Sequence, residues 1–188
     1  MLTLEQSAAV AGHARWLETR LFEVLGSWVA VEADAAVKVL WSTLSLRHAA
    51  HAAGWHERQP RVAHLEPDEL TVAGPGASSL VEALAAMAEP GSTVPRLAAV
   101  GRVIEPRLLE AYRARAERAH PLADGPTLRW TTVLLADGEA ALADAEALLT
   151  TRLGAPADIE AARACESALA GLAAAGGGVI GLTSPGRA

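Results

Sequence analysis

Val37, Trp41, Leu44, His48, His51 and Trp55 recur at steps of four, three, four, three and four, the spacing that brings side chains onto one face of a helix. Two histidines therefore stand inside an apolar stripe. A buried imidazole needs a partner at each ring nitrogen, so either other helices bring partners to these rings or the face lines a polar cavity. The same periodicity predicts a series of long helices along the chain. The first covers residues 3–31, with Thr3 as N-cap and Gln6 completing a capping box. Its stripe is Leu17, Leu21, Val24, Leu25, Trp28 and Val29. Asp34 caps the second, which lasts to Glu57 and is stopped by Pro60. A Pro- and Gly-rich loop follows over residues 59–76, and Ser78 or Ser79 opens a short third helix ending before Pro90.

Thr93 caps a fourth helix that continues to Ala119 with a kink near Arg102 to Glu105, because Pro106 falls inside it. Its stripe is Leu97, Val100, Ile104, Leu108 and Tyr112. The fifth covers residues 127–153 with Leu128, Thr132, Leu135, Glu139, Leu142, Glu146, Leu149 and Leu153 on one side. A weakly amphipathic sixth is drawn over 158–175, and the glycine run from Gly176 leads into a tail expected to be flexible. The organisation expected is an all-α bundle over residues 1–154 and a helical extension over 155–188.

Composition narrows the function classes. Hydrophobic residues make up 51% of the 188, in Ala- and Leu-rich stretches that favour helix over sheet. The net charge of -6 and the absence of a basic block argue against nucleic acid. No run of 18 uncharged apolar residues offers a membrane span, and Met1 to Gln6 show no signal-peptide pattern. Cys165 is the single cysteine, which excludes an intrachain disulfide or a cysteine-only zinc site and fits a reducing compartment; a cytoplasmic location is expected. Lys38 is the one lysine among 16 basic residues, a usage typical of high-GC bacterial genomes.

Placing side chains at 100° steps directs ionisable groups from four helices toward one interior: Glu18, His48 with His51, Glu105, and Glu139. Arg115 projects along the fourth stripe. Glu139 falls mid-stripe, where an unpaired buried carboxylate costs several kcal/mol. Such groups satisfy each other, bind something, or both. This pattern resembles the ferritin-like superfamily, whose di-iron members place one Glu on each of two helices and a Glu-x-x-His motif on each of the other two. Glu18 and Glu105 match the lone glutamates. Ser45-Leu46-Arg47-His48 keeps the histidine of one motif and lacks its carboxylate, and Glu139-Ala140-Ala141-Leu142 keeps the carboxylate and lacks the histidine. Arg15-Trp16-Leu17-Glu18 and the His48-x-x-His51 pair look like those of actinobacterial ferritin-like proteins without a full iron site. The resemblance implies a ferritin-like four-helix bundle with a degenerate di-iron site and no di-iron chemistry.

The function expected from these residues is a metal-independent small-molecule enzyme or binding protein of bacterial specialised metabolism. Glu139 and His48 would form its acid-base pair, with Glu18 and His51 orienting them. Trp41, Trp55, Trp28, Phe22 and Tyr112 would wall an organic ligand, with Arg115, Tyr112 and Glu105 as polar contacts. Two alternatives stand beside it. One is a non-catalytic subunit forming a homodimer or heterodimer, and the other a single Zn, Mn or Fe held by His48 and glutamates. Weaker patterns are Ser45 one turn from His48, the isolated Cys165, and His56, Glu57 and His64 around the loop; His13 and His120 read as surface residues.

Overall fold

A computed structural model describes residues 2–175 and 179–181, whose regular structure is all helix, with no strand among the described residues. Helix α1 (Leu4–Val31) opens with the capping box: the Gln6 N–H donates to Thr3 Oγ1 at 3.2 Å, and the Thr3 N–H to Gln6 Oε1 at 3.0 Å. Asp34 caps α2 (Ala35–Arg58) by accepting from the N–H groups of Ala36 and Val37. The two helices fold back on one another as an antiparallel pair. Between α2 and the next long element the chain forms a short α3 (Pro67–Leu70) and α4 (Ala77–Ala85). The segment lies tight on α1: a Cβ at Gly12 would meet the Leu70 carbonyl oxygen at 2.0 Å. Arg15 ties it down, donating to Gln59, Asp68 and Thr71.

The expected fourth helix is three pieces: α5 (Thr93–Ala98), a π-helical segment (Ala99–Ile104) and α6 (Glu105–Glu117). Pro106 is the cause. Its ring clashes with the carbonyl one turn upstream and it offers no N–H, so the preceding turn widens and the Glu105 N–H reaches back to Val100. Thr93 is the first helical residue rather than a cap, because its hydroxyl donates to Glu32 Oε1 at 2.8 Å. Helix α7 (Gly125–Arg152) runs antiparallel to α6 and to α2.

The buried face of α7 differs from the one expected. Thr131, Leu134, Gly138, Ala141, Ala145 and Leu149 point inward, a face turned by about one residue from the Leu128–Leu135–Glu139–Leu142 stripe. Small residues decide this. Gly101 lies so close to α7 that a Cβ there would meet Ala145 Cβ at 3.3 Å, and one at Gly138 would meet Leu109 at 2.9 Å. Close backbone approach buries the small-residue face and leaves Leu135 and Leu142 as half-buried flanks.

Helix α8 (Pro156–Ala175) packs on α4, α5 and the π segment, burying Ala162, Leu169 and Ala173. Cys165 Sγ donates to the Pro95 carbonyl there, and burial pushes its thiol pKa up to about 11. Of the tail expected to be flexible, residues 176–178 and 182–188 lie outside the described residues. Val179 and Ile180 are buried, and the Ile180 carbonyl meets His13 Nδ1 at 3.4 Å, which makes His13 a half-buried contact. No described helix is long and apolar enough to cross a membrane.

Candidate metal site

Glu18 on α1 is fully buried at the centre of the cluster. His48 on α2 donates through Nδ1 to Glu18 Oε2 at 2.5 Å, and its Nε2 faces Glu105 Oε1 at 3.5 Å. His51 lies one turn further along α2. Its Nδ1 is 3.5 Å from the same Glu18 oxygen and its Nε2 bonds Asp137 Oδ2 at 3.0 Å. The other Glu18 oxygen, Oε1, accepts from the Tyr112 hydroxyl. Each imidazole is thus bracketed by two carboxylates, and Glu18 is shared by both.

Local sequence explains these positions. On α1, Glu18 follows Leu17 and precedes Leu21 by three, so it occupies the buried side of a helix that packs mainly against α2. On α6, Glu105 is the first residue after the widened turn, which sets its direction toward His48. On α7, Gly138 lets the backbone pass the Glu105 carboxylate, since a Cβ there would sit 3.4 Å from Glu105 Oε2.

Burial alone would raise the pKa of the Glu18 carboxyl, but His48 and His51 outweigh it and hold it down at about 2. Burial likewise disfavours a charged imidazole at His48, and Glu18 with Glu105 overcomes this to raise it to about 10. His51 is raised in the same way, against burial, by Glu18 and Asp137. Tyr112 is pushed well above its ordinary value by burial and by the Glu18 charge, so its hydroxyl stays a donor.

Glu18, His48 and His51 each offer one ligand atom, and these atoms lie within 4.8 Å of one another. Among the described residues no other His, Cys, Asp or Glu grouping of this kind forms, and His56, Glu57 and His64 do not gather into one. The adjoining cavity has about 10 Å³ of space for a water-sized body, lined by Glu18, Arg47, Glu105, Leu109, Asp137 and Gly138 among others. That is room for about one water or one ion and not for an organic molecule.

Several residues expected at the site stand elsewhere. Glu139 is 60% exposed and pairs with Arg113 at 2.8 Å, because α7 turns Gly138 inward instead. Asp137, two residues earlier, is the carboxylate that α7 delivers; the signal for it was the Leu134, Gly138, Ala141 face, which small residues made faint. Trp28 and Trp41 pack edge to face on each other with ring centroids 5.3 Å apart, beside Glu32 and Arg96, and do not wall the cavity. Trp55 leans on Tyr112 at 5.9 Å and so backs the site from behind the tyrosine. Phe22 is 42% exposed. Arg115 is buried but donates to Ser7 and Asp124, tying helix ends together rather than reaching the cavity. Ser45 donates to the Phe22 carbonyl at 2.9 Å.

A second buried cluster, Glu32 with Arg96, went unforeseen. Glu32 continues the first stripe four residues beyond Trp28, which was the available signal. It accepts from Trp41 Nε1, Thr93 and the Asp34 N–H, and its Oε2 lies 3.4 Å from Arg96. Arg96 also donates to the carbonyls of Met87 and Glu89. Every partner is a protein group that pins helix ends, and the cluster has the character of a structural clasp.

Compared with known proteins, the chain matches no family model, no curated protein and no solved structure.

Proposed function

We propose that the chain is a mononuclear metalloprotein in which Glu18, His48 and His51 hold one divalent transition-metal ion. One observation carries the reading: a glutamate and two histidines converge, and each histidine has its other ring nitrogen on a carboxylate. Metal-ligating histidines characteristically give their second nitrogen to a carboxylate or carbonyl, which fixes the tautomer and strengthens the ligand. Glu105 does this for His48 and Asp137 for His51, while Tyr112 orients the free oxygen of Glu18. Two imidazoles and one carboxylate suit Zn, Fe(II) or Mn(II), with positions left for water. A bound ion there would supply a Lewis acid and lower the pKa of a coordinated water. The metal-free alternative with an organic ligand is disfavoured by the small cavity and by the surface position of Glu139.

The fold proposed with this function is a ferritin-like bundle, in which α1, α2, the π segment with α6, and α7 surround the site. Glu18, His48 and Glu105 are the residues that support it. Ser45 and Leu142 offer no second pair of ligands, which favours one metal over two. A second reading is favoured by the completeness of the hydrogen bonding: a self-satisfied polar core in a non-catalytic subunit. Elemental analysis separates them. Protein purified without chelator is expected to carry about one metal per chain. His48→Ala, His51→Ala and Glu18→Ala lose it, and Glu139→Ala retains it. Folded wild-type protein that stays metal-free after incubation with Zn, Fe(II) and Mn(II) would support the polar-core reading instead.

A further inference from the structure

The walls of the cavity are unequal. Glu18, His48, Glu105, Leu108, Leu109, Tyr112 and Leu134 are each at most 3% exposed. Among the lining residues the accessible side chains are Arg47, at 21%, and Asp137, at 37%, and both lie on the seam between α2 and α7. Arg47 crosses that seam: its NH1 donates to the Asp137 carbonyl at 2.8 Å, and its Nε lies 4.0 Å from Asp137 Oδ1.

The seam is held at both ends. At one end a Cβ on Gly54 would meet Trp130 at 2.2 Å, so the indole lies directly on the α2 backbone, and the Arg58 guanidinium sits 4.6 Å over the ring. At the other end Arg152 pairs with Asp34 at 2.7 Å. Between these ends the packing opens. A groove of about 340 Å³ runs between the helices, lined by Val39, Thr43, Asp144 and Ala147 among others. Thr43 is one helical turn from Arg47 and Asp144 two turns from Asp137.

Resting on the metal reading above, we infer that the ion enters and leaves through the α2–α7 seam, with the Arg47–Asp137 contact as its latch. The latch acts on rate. Arg47 reaches the ligands only through Asp137, the carboxylate partner of His51, and it holds α7 through a backbone carbonyl, so removing it opens the seam while the direct contacts among Glu18, His48 and His51 remain.

The test compares metal exchange in the full chain loaded with Zn, using a colorimetric chelator to follow release and uptake. Arg47→Ala is expected to speed both uptake and release by about tenfold, since both directions pass the same barrier. Arg113→Ala is the control. It removes the Arg113–Glu139 pair on the α6 side of α7 and should leave the exchange rates as in the wild type. Circular dichroism of each variant checks the fold. Wild-type rates in Arg47→Ala, or equal acceleration in Arg113→Ala, would overturn the latch and leave the metal site standing. A wild-type chain that takes up no Zn, Fe(II) or Mn(II) overturns both.

Discussion

Glu32 and Glu139 show how position, not residue type, decides what a carboxylate does. Glu139 sits in water, where its pair with Arg113 contributes no more than about 1 kcal/mol. Glu32 is 2% exposed and faces a fully buried Arg96. Burial pushes its carboxyl up, yet the Asp34 N–H, Thr93, Trp41 and Arg96 together hold it below the usual carboxylate range. Its stabilising effect is therefore complete above the unfolded-state value near about 4.3 and is lost as pH falls toward the lower folded value. Glu32→Gln removes that dependence. Thermal unfolding of the variant should fall less steeply than wild type between about pH 5 and about pH 3. At neutral pH it should be less stable by about 3 kcal/mol, because Arg96 is left buried without its counter-charge. Parallel pH curves for the two proteins would count against this account.

At the scale of elements, the contacts that position the site are made by glycines and by one proline. Pro106 widens the turn that aims Glu105, and Gly138 and Gly54 let α7 approach α6 and α2. Gly54→Ala sets two effects against each other. Alanine gains about 1 kcal/mol of helix propensity over glycine. The new methyl, however, would sit 2.2 Å from a rigid indole that Arg58 covers from the other side, and overpacking of this kind costs about 1–3 kcal/mol. The clash should win, giving a lower denaturation midpoint, and Trp130 must move. Because Trp130 also meets His51 edge on at 5.9 Å, its fluorescence should change in the variant. A stabilised Gly54→Ala with unaltered emission would mean that α2 and α7 pack less closely than described.

For the whole molecule, the site joins four helices that are distant in sequence. Glu18 comes from α1, His48 and His51 from α2, Glu105 and Tyr112 from α6, and Asp137 from α7. An ion bound there stabilises the folded chain by mass action, about 2.7 kcal/mol at a hundredfold excess over Kd. For a chain of this size that corresponds to a rise in Tm of about 5–10 °C. Scanning calorimetry with added Zn and after chelator treatment should show the rise and its reversal, and His48→Ala should show neither. Equal melting temperatures in wild type with and without metal would mean that no ion binds the folded chain in preference to the unfolded one.

The all-α character, both early N-caps, the disruption ahead of Pro106 and the inward direction of Glu18, His48, His51 and Glu105 were legible in the order of residues. These depend on local chemistry: a Thr or Asp beside a free N–H, a missing donor at proline, a large side chain repeating every three or four positions. The rotation of α7 was not legible. It turns on Gly138, Ala141 and Ala145, whose small side chains add little to a hydrophobic pattern but permit backbones to meet. That one-residue turn exchanges Glu139 for Asp137 at the site. Pairings across the chain, such as Asp137 with His51 or Glu32 with Arg96, are likewise decided only when tertiary packing removes water and each buried charge must find its partner.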